Sequence, residues 1–543
     1  MNTRNIDRRS FLSAGTAAAG FLMGTPLSRV WAARTDEPSG SPVVETNAGR
    51  IRGSFQGKVN IFKGVPYGAS TEGAGRFMPP SKPQPWTGVR DTLELGHRSP
   101  QIRETPLVPE YAVFDRNEPM GEDCLCLNVW TPGLKNGHKR PVMVWLHGGG
   151  FANSSAGVAI QDGANLAAKH DVVVVAPNHR LNIFGYLYLA GIGGEKYANA
   201  SNVGMLDIIL ALEWVRDNVA AFGGDPGNVT IFGQSGGGAK VSTLLGMPQA
   251  RGLFHRAIAM SGTAVNGLSR EQATKSTETA FAKLGLKPNQ IDELQKVPID
   301  KLLAITVGQG AVRNLGPVTD GKTLPAVPFD PVATEISANI PLMIGSNETE
   351  VTWFANTNYD ALDDTALRAR VKQALRCDDG SADQVISVYR KNRPKASNLD
   401  LYLILASDAS AFRTGVDLEA ERKAGQGRAA VYKYYFQWYS PVREGKLRAM
   451  HTMELPFVFQ NVEIGKPEIG APDKERYTLA DQMSTAWVNF ARSGNPNHKG
   501  LPHWPVFNAN ERPTMIFNTE CRMVKDPYHE ERLARATVTK VQA

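Results

Sequence analysis

An α/β fold is predicted for this chain by two kinds of observation. Short β-branched and aromatic runs stop abruptly at glycine-rich or polar turns, and stretches of helical character lie between them. The clearest run is Val229-Thr-Ile-Phe232, which drives into Gly233-Gln234-Ser235-Gly236-Gly237 and continues as the helix-like Gly238-Ala-Lys-Val241. A serine at such a strand-to-helix turn has strained backbone angles, and the flanking glycines let strand and helix approach closely. The strain exposes the hydroxyl. The free N–H groups and positive dipole end of the following helix face any oxyanion formed there, and Gly236 is the first donor.

Taken from the amino terminus, the first segment reads as an address. Asp7-Arg8-Arg9-Ser10-Phe11-Leu12 sets an arginine pair ahead of an uncharged stretch rich in Ala and Gly, which resembles a twin-arginine export signal. Gly15, Gly20, Gly24 and Pro26 interrupt that stretch, so it is not expected to hold a stable membrane span. Residues 1–33 are therefore expected to be a signal peptide read by the twin-arginine machinery, 34–42 a linker, and 43–543 the catalytic domain, in the periplasm or secreted. Val142-Met-Val-Trp-Leu146 is a buried strand ending in His147-Gly148-Gly149-Gly150-Phe151, where residues without side chains can aim N–H groups at a carbonyl oxygen. After the serine turn, 269–303 has helical character. Leu342-Met-Ile344 is a strand that places Glu348 and Glu350 just past its carboxyl end, and 361–423 again reads as helical. Val431 to Trp438 alternates as a strand, and the loop after it brings His451. Serine, acid and histidine thus occur in the chain order of a serine hydrolase built on a parallel α/β sheet.

At this point the residues resemble the type-B carboxylesterase and lipase family, which includes cholinesterases and bacterial para-nitrobenzyl esterases. Phe222 to Gly237 is similar to its serine signature and Glu122-Asp123-Cys124-Leu-Cys-Leu-Asn128-Val to its second one. Similarity continues through Phe62-Lys-Gly-Val-Pro66-Tyr67, Asn178-His-Arg180-Leu-Asn-Ile-Phe-Gly185, Asn202-Val-Gly204-Met-Leu-Asp207 and Leu212-Glu213-Trp214-Val215, covering nearly everything from Val43 to about Phe517. The resemblance implies an α/β-hydrolase fold with a large, mostly parallel central sheet flanked by helices. It further implies a nucleophile at Ser235, an acid at Glu350, a base at His451, oxyanion donors at Gly148, Gly149 and Gly236, and a hydrogen-bonding serine near the triad at Ser261. The reaction it implies is hydrolysis of a small carboxylic ester through an acyl-enzyme, without a cofactor. The helical segments would stand where family members build the gorge wall.

The chain departs from the family beside the nucleophile, where glutamate is usual and this sequence has the neutral Gln234. Glycine usually follows the acid, and here Val351 does. No cysteine precedes Cys124, so the family's upstream disulfide has no partner. Loss of a negative charge, together with the absence of a recognisable choline-binding tryptophan loop, points to neutral esters. Glu348 is the rival acid, and a lone glutamate is by default solvated. His147, His179 and His255 compete with His451; His147 shapes the glycine turn and His255 stands at a helix-to-strand junction. Glu454 lies too near His451 in sequence to orient it when Glu350 matches the motif. Four cysteines, Cys124, Cys126, Cys377 and Cys521, allow three complete disulfide pairings, and no metal-ligand spacing accompanies them. The net charge of +7 is partly held by four arginines in the first 33 residues, and no Lys/Arg run suited to phosphates follows, so nucleic acid is not an expected partner. Some cholinesterase-like proteins are non-catalytic adhesion modules; those lack a triad member, and all three candidates stand here.

Overall fold

Apolar runs become strands buried on both faces. In Arg140–Leu146, Val142, Val144 and Leu146 enter one hydrophobic core while Met143 and Trp145 enter another, so successive side chains feed opposite sides of one sheet. In the computed structural model, which describes residues 40–102, 109–115, 118–135, 137–355 and 361–540, that sheet has 11 strands. The signal segment 1–33 and most of the linker lie outside the described residues.

From one edge, the strands Val173–Pro177, Arg140–Leu146, Gly224–Gln234, Arg256–Met260, Leu342–Asn347, Val431–Phe436 and Pro513–Phe517 are hydrogen-bonded in parallel. Arg522–Lys525 closes one side antiparallel. Cys126–Thr131, Val59–Pro66 and Ser54–Gln56 close the other, also antiparallel. The large, mostly parallel sheet is therefore present, with helices packed on it. A separate sheet of three short strands is formed by Val43–Thr46, Gly49–Arg52 and Val89–Asp91.

The expected helical stretches are broken where the sequence supplies caps. The first becomes Arg270–Leu284, opened by a capping box between Ser269 and Gln272 and stopped by Gly285 at φ 69°, then a 3-10 turn Pro288–Lys296 and a short helix Ile299–Ala304. The second becomes four helices, Asp364–Leu375, Asp379–Asn392, Asn398–Ala409 and Ala411–Gly425. The first three begin where the Asp363, Asp378 and Ser397 side chains accept from backbone N–H groups. All four cysteines are free thiols, three of them buried. Among the described residues no helix is long and apolar enough to cross a membrane.

Candidate active site

The chain leaves strand Arg140–Leu146 for its neighbour on one side, Val173–Pro177, and then returns to its neighbour on the other, Gly224–Gln234. Such a reversal opens a crevice at the carboxyl ends of the two central strands. Those ends carry the glycine loop and Ser235. Ser235 has φ 59° and ψ −126°, and helix Gly236–Leu245 starts directly after it. This is a costly conformation for a residue with a Cβ. The turn is feasible because Gly237 lies against the Leu146 carbonyl, where any Cβ would overlap the oxygen. Gly148 faces the turn, since a Cβ there would come 3.4 Å from Ser235 Cβ. Gly149 and Gly150 adopt φ 79° and 61°, and the Gly149 carbonyl accepts from the N–H groups of Ala152 and Asn153, which folds the loop over the elbow.

The parallel ladder continues past the strand ends and sets the remaining groups in register. Ser235 N–H donates to Met260 O, Ser261 N–H to Gly345 O, and Thr349 pairs with Met450 in an isolated parallel bridge. The residues that follow that bridge are Glu350 and His451. His451 Nδ1 lies 2.5 Å from Glu350 Oε2, with both side chains buried. Glu350 Oε1 accepts from Ser261 Oγ and from Asn347 N–H, each at 2.6 Å. Three donors thus hold one carboxylate.

Gln234 Nε2 is 3.2 Å from His451 Nε2 and 3.4 Å from Nδ1. No in-plane donor can be that near both ring nitrogens without overlapping a ring carbon, so the amide lies over the face of the imidazole. It therefore leaves the in-plane position at Nε2 unoccupied. Ser235 Oγ makes no hydrogen bond to His451 among the described residues, although both line one cavity of about 570 Å³.

The rival groups lie elsewhere. Glu348 is buried against Arg393 at 2.7 Å and accepts from Gln437 Nε2 at 2.8 Å. Glu454 accepts from Asn347 Nδ2, and burial, followed by the charge of Glu350, pushes its carboxyl up to about 8. His255 Nδ1 accepts from Val229 N–H, and His147 and His179 stack 4.7 Å apart behind the glycine loop.

Sequence reasoning did not identify the aromatic walls. Phe412 and Phe354 pack on His451 at ring distances of 4.5 and 5.6 Å, while Trp353 stacks on Tyr111 at 3.9 Å and meets Phe114 edge-on. Helix Ala411–Gly425 contributes to the cavity, but 269–303 gives it no lining residue. Asp115 is the only aspartate or glutamate that lines it among the described residues, and none of these forms a metal-ligand cluster.

Comparison with known proteins gives this geometry its context. The model of the carboxylesterase family matches residues 40–536. The para-nitrobenzyl esterase of Bacillus subtilis (strain 168) is 34% identical over 501 residues, which is 90% of this chain and 97% of that protein. A phenmedipham hydrolase of Pseudarthrobacter oxydans is 32% identical, covering 88% and 95%. Among solved structures, an esterase of Clostridium hathewayi described as hydrolysing aliphatic aromatic polyesters superposes with a TM-score of 0.80 at 34% identity, over 92% of this chain and 99% of that one. The Geobacillus stearothermophilus carboxylesterase gives 0.77 at 36%, over 91% and 99%. A match of this length and identity shows that the chain belongs to the carboxylesterase family, adopts its α/β-hydrolase fold and is a carboxylic ester hydrolase.

Proposed function

We propose that this esterase works through an acyl-enzyme on Ser235, with His451 as general base and Glu350 as the group that orients it. The observation that carries the reading is the 2.5 Å contact of His451 Nδ1 with Glu350 Oε2. A carboxylate can only accept, so Nδ1 bears the proton and Nε2 presents a lone pair to the cavity that Ser235 also lines. Nε2 takes the Ser235 proton as Oγ bonds to the ester carbonyl carbon, and the negative oxygen is met by the N–H groups of Gly148, Gly149 and Gly236. Collapse breaks the bond to the alcohol, which leaves with the proton from Nε2. Water, deprotonated by the same nitrogen, then releases the carboxylic acid and restores Ser235. A fluorophosphonate probe tests this directly: mass spectrometry should place the adduct on Ser235, and an active protein left unlabelled there would take Ser235 out of the mechanism.

The substrates are proposed to be neutral esters with an apolar or aromatic group. Tyr111, Phe114, Trp353, Phe354 and Phe412 offer aromatic surface, and Gln234 supplies no charge beside the nucleophile. The relatives named for para-nitrobenzyl esters and for phenmedipham are consistent with this. Wild type should prefer a neutral ester to the choline ester of the same acid. Gln234→Glu should raise the relative kcat/KM for the choline ester by about three- to tenfold, a gain of roughly 1 kcal/mol for a cation near a carboxylate. Paired kcat/KM measurements check it, and an unchanged ratio would show that other groups set the selectivity.

Delivery to the periplasm or beyond through the twin-arginine machinery is proposed on the Arg8-Arg9 pair. Arg8→Lys with Arg9→Lys keeps the charge but removes both guanidinium groups, and should abolish the exported activity. Undiminished activity in the periplasmic fraction would point to another route.

A further inference from the structure

Among the described residues that line the cavity, four other than glycine have left-handed φ angles, and each carries a hydroxyl: Ser154 at 84°, Ser235 at 59°, Ser261 at 48° and Thr452 at 79°. A residue with a Cβ is strained in that conformation, which glycine adopts freely, and strain of this kind gathers where side chains have work to do. Ser235 stands at the elbow, and Ser261 Oγ donates to Glu350. Thr452 Oγ1 is sealed from solvent without a partner. Ser154 Oγ also makes no hydrogen bond among the described residues, yet it is not sealed, although the residue is only 8% exposed. Its open side is the cavity.

A buried amide fixes the backbone there. Gln101 Oε1 accepts from Ser154 N–H at 2.9 Å, while Gln101 Nε2 donates to Ser154 O and to Ser99 O, each at 3.0 Å. A reversed amide would set its NH₂ against the Ser154 N–H, so this clamp has one orientation. With both main-chain groups engaged, the hydroxyl is the polar group of Ser154 left for a ligand. Gln161 lies further along the same connection and also lines the cavity. Trp145 Nε1 can only donate and does so to Gln161 Oε1 at 2.9 Å, which leaves the Gln161 NH₂ without a partner among the described residues and not sealed from solvent. An acceptor oxygen suits both groups. Neither carries charge, so nothing in the pair offsets the desolvation of an ionic partner.

We propose that Ser154 and Gln161 form a hydrogen-bonding subsite for an uncharged oxygen of the substrate, a hydroxyl, ether or carbonyl group beyond the ester that is cleaved. This rests on the cavity being where Ser235 meets its ester, and it adds a polar contact to the aromatic ones. Fluorophosphonate labelling of wild-type Ser235 comes first; its failure removes that reading and the subsite with it. kcat/KM is then measured on two pairs of esters that differ by an oxygen in place of a carbon. Propyl and 2-hydroxyethyl benzoate vary the alcohol portion, and phenyl butanoate and phenyl methoxyacetate vary the acyl portion. Intrinsic reactivity differs within a pair but cancels when a variant is compared with wild type.

Ser154→Ala keeps the Cβ and the strain but removes the hydroxyl. The oxygen-bearing member of at least one pair should lose about two- to tenfold relative to its hydrocarbon partner, the range for one neutral hydrogen bond. The pair that responds identifies the portion of the substrate held in the subsite. Ser154→Gly should lose the same selectivity while melting higher, because it also relieves the φ of 84°. Gln161→Glu keeps the acceptor for Trp145 and loses the donor, so it should shift the same ratio in the same direction. Ratios that stay within about twofold of wild type in both pairs for Ser154→Ala, including equal losses on the two members of a pair, would overturn the subsite and leave the role of Ser235 intact.

Discussion

Ser235→Ala is expected to lower kcat by about 10⁴ to 10⁶ and leave the melting temperature close to that of the wild type. The two halves have separate causes. The catalytic loss follows because the strained elbow that presents this hydroxyl is particular to position 235. Ser261, which lines the same cavity, is committed to Glu350 Oε1 at 2.6 Å and is fully buried. Stability should hardly change, since Ser235 Oγ makes no hydrogen bond among the described residues to lose and alanine must adopt the same φ of 59° as serine. Kinetics on a neutral ester with parallel thermal melts decide the matter. A variant that retains turnover within about tenfold would take Ser235 out of the mechanism. Ser235→Gly would add a check on the strain: a residue without a Cβ pays nothing for this conformation, so the protein should melt higher while remaining inactive.

Much of this site could be read in the chain because each functional group directly follows an apolar strand, and strands buried on both faces are conspicuous in sequence. The elbow glycines were legible for a related reason: Gly237 beside the Leu146 carbonyl admits no other residue. What could not be read was whatever depends on distant elements meeting. Phe354 and Phe412 come from a 3-10 turn and a helix that nothing in their local sequence connects to His451. The position of Gln234 over the imidazole face was equally hidden, because a side chain beside a nucleophile can take several rotamers and only the packed ring selects one. The boundary differences have local causes. Residues 269–303 carry helical composition, but Gly285, Pro288 and Pro298 divide them, and the divided segment packs away from the cavity it was expected to wall.

The acid gives the other large expected effect. Glu350→Gln should lower kcat by about 10² to 10⁴, whereas Glu348→Gln should leave kcat within a few-fold of wild type and lower the melting temperature instead. The size of the first effect comes from which way a glutamine must sit. Glu350 Oε1 accepts from Ser261 Oγ and Asn347 N–H, so an amide at that position has to put its oxygen there, because its NH₂ would face an N–H. The NH₂ is then left against His451 Nδ1 and donates to it. That places the imidazole proton on Nε2, where the nitrogen can no longer take one from Ser235. The variant therefore retains its shape and loses its base. Glu348 has no such link to the imidazole. It pairs with Arg393, which also binds Glu531 at 3.0 Å, so removing its charge weakens a buried network by roughly 1 to 3 kcal/mol. Measuring kcat and melting temperature for both variants separates the roles. Loss of turnover in Glu348→Gln with activity retained in Glu350→Gln would mean that the imidazole is oriented by a group other than the one 2.5 Å from its Nδ1.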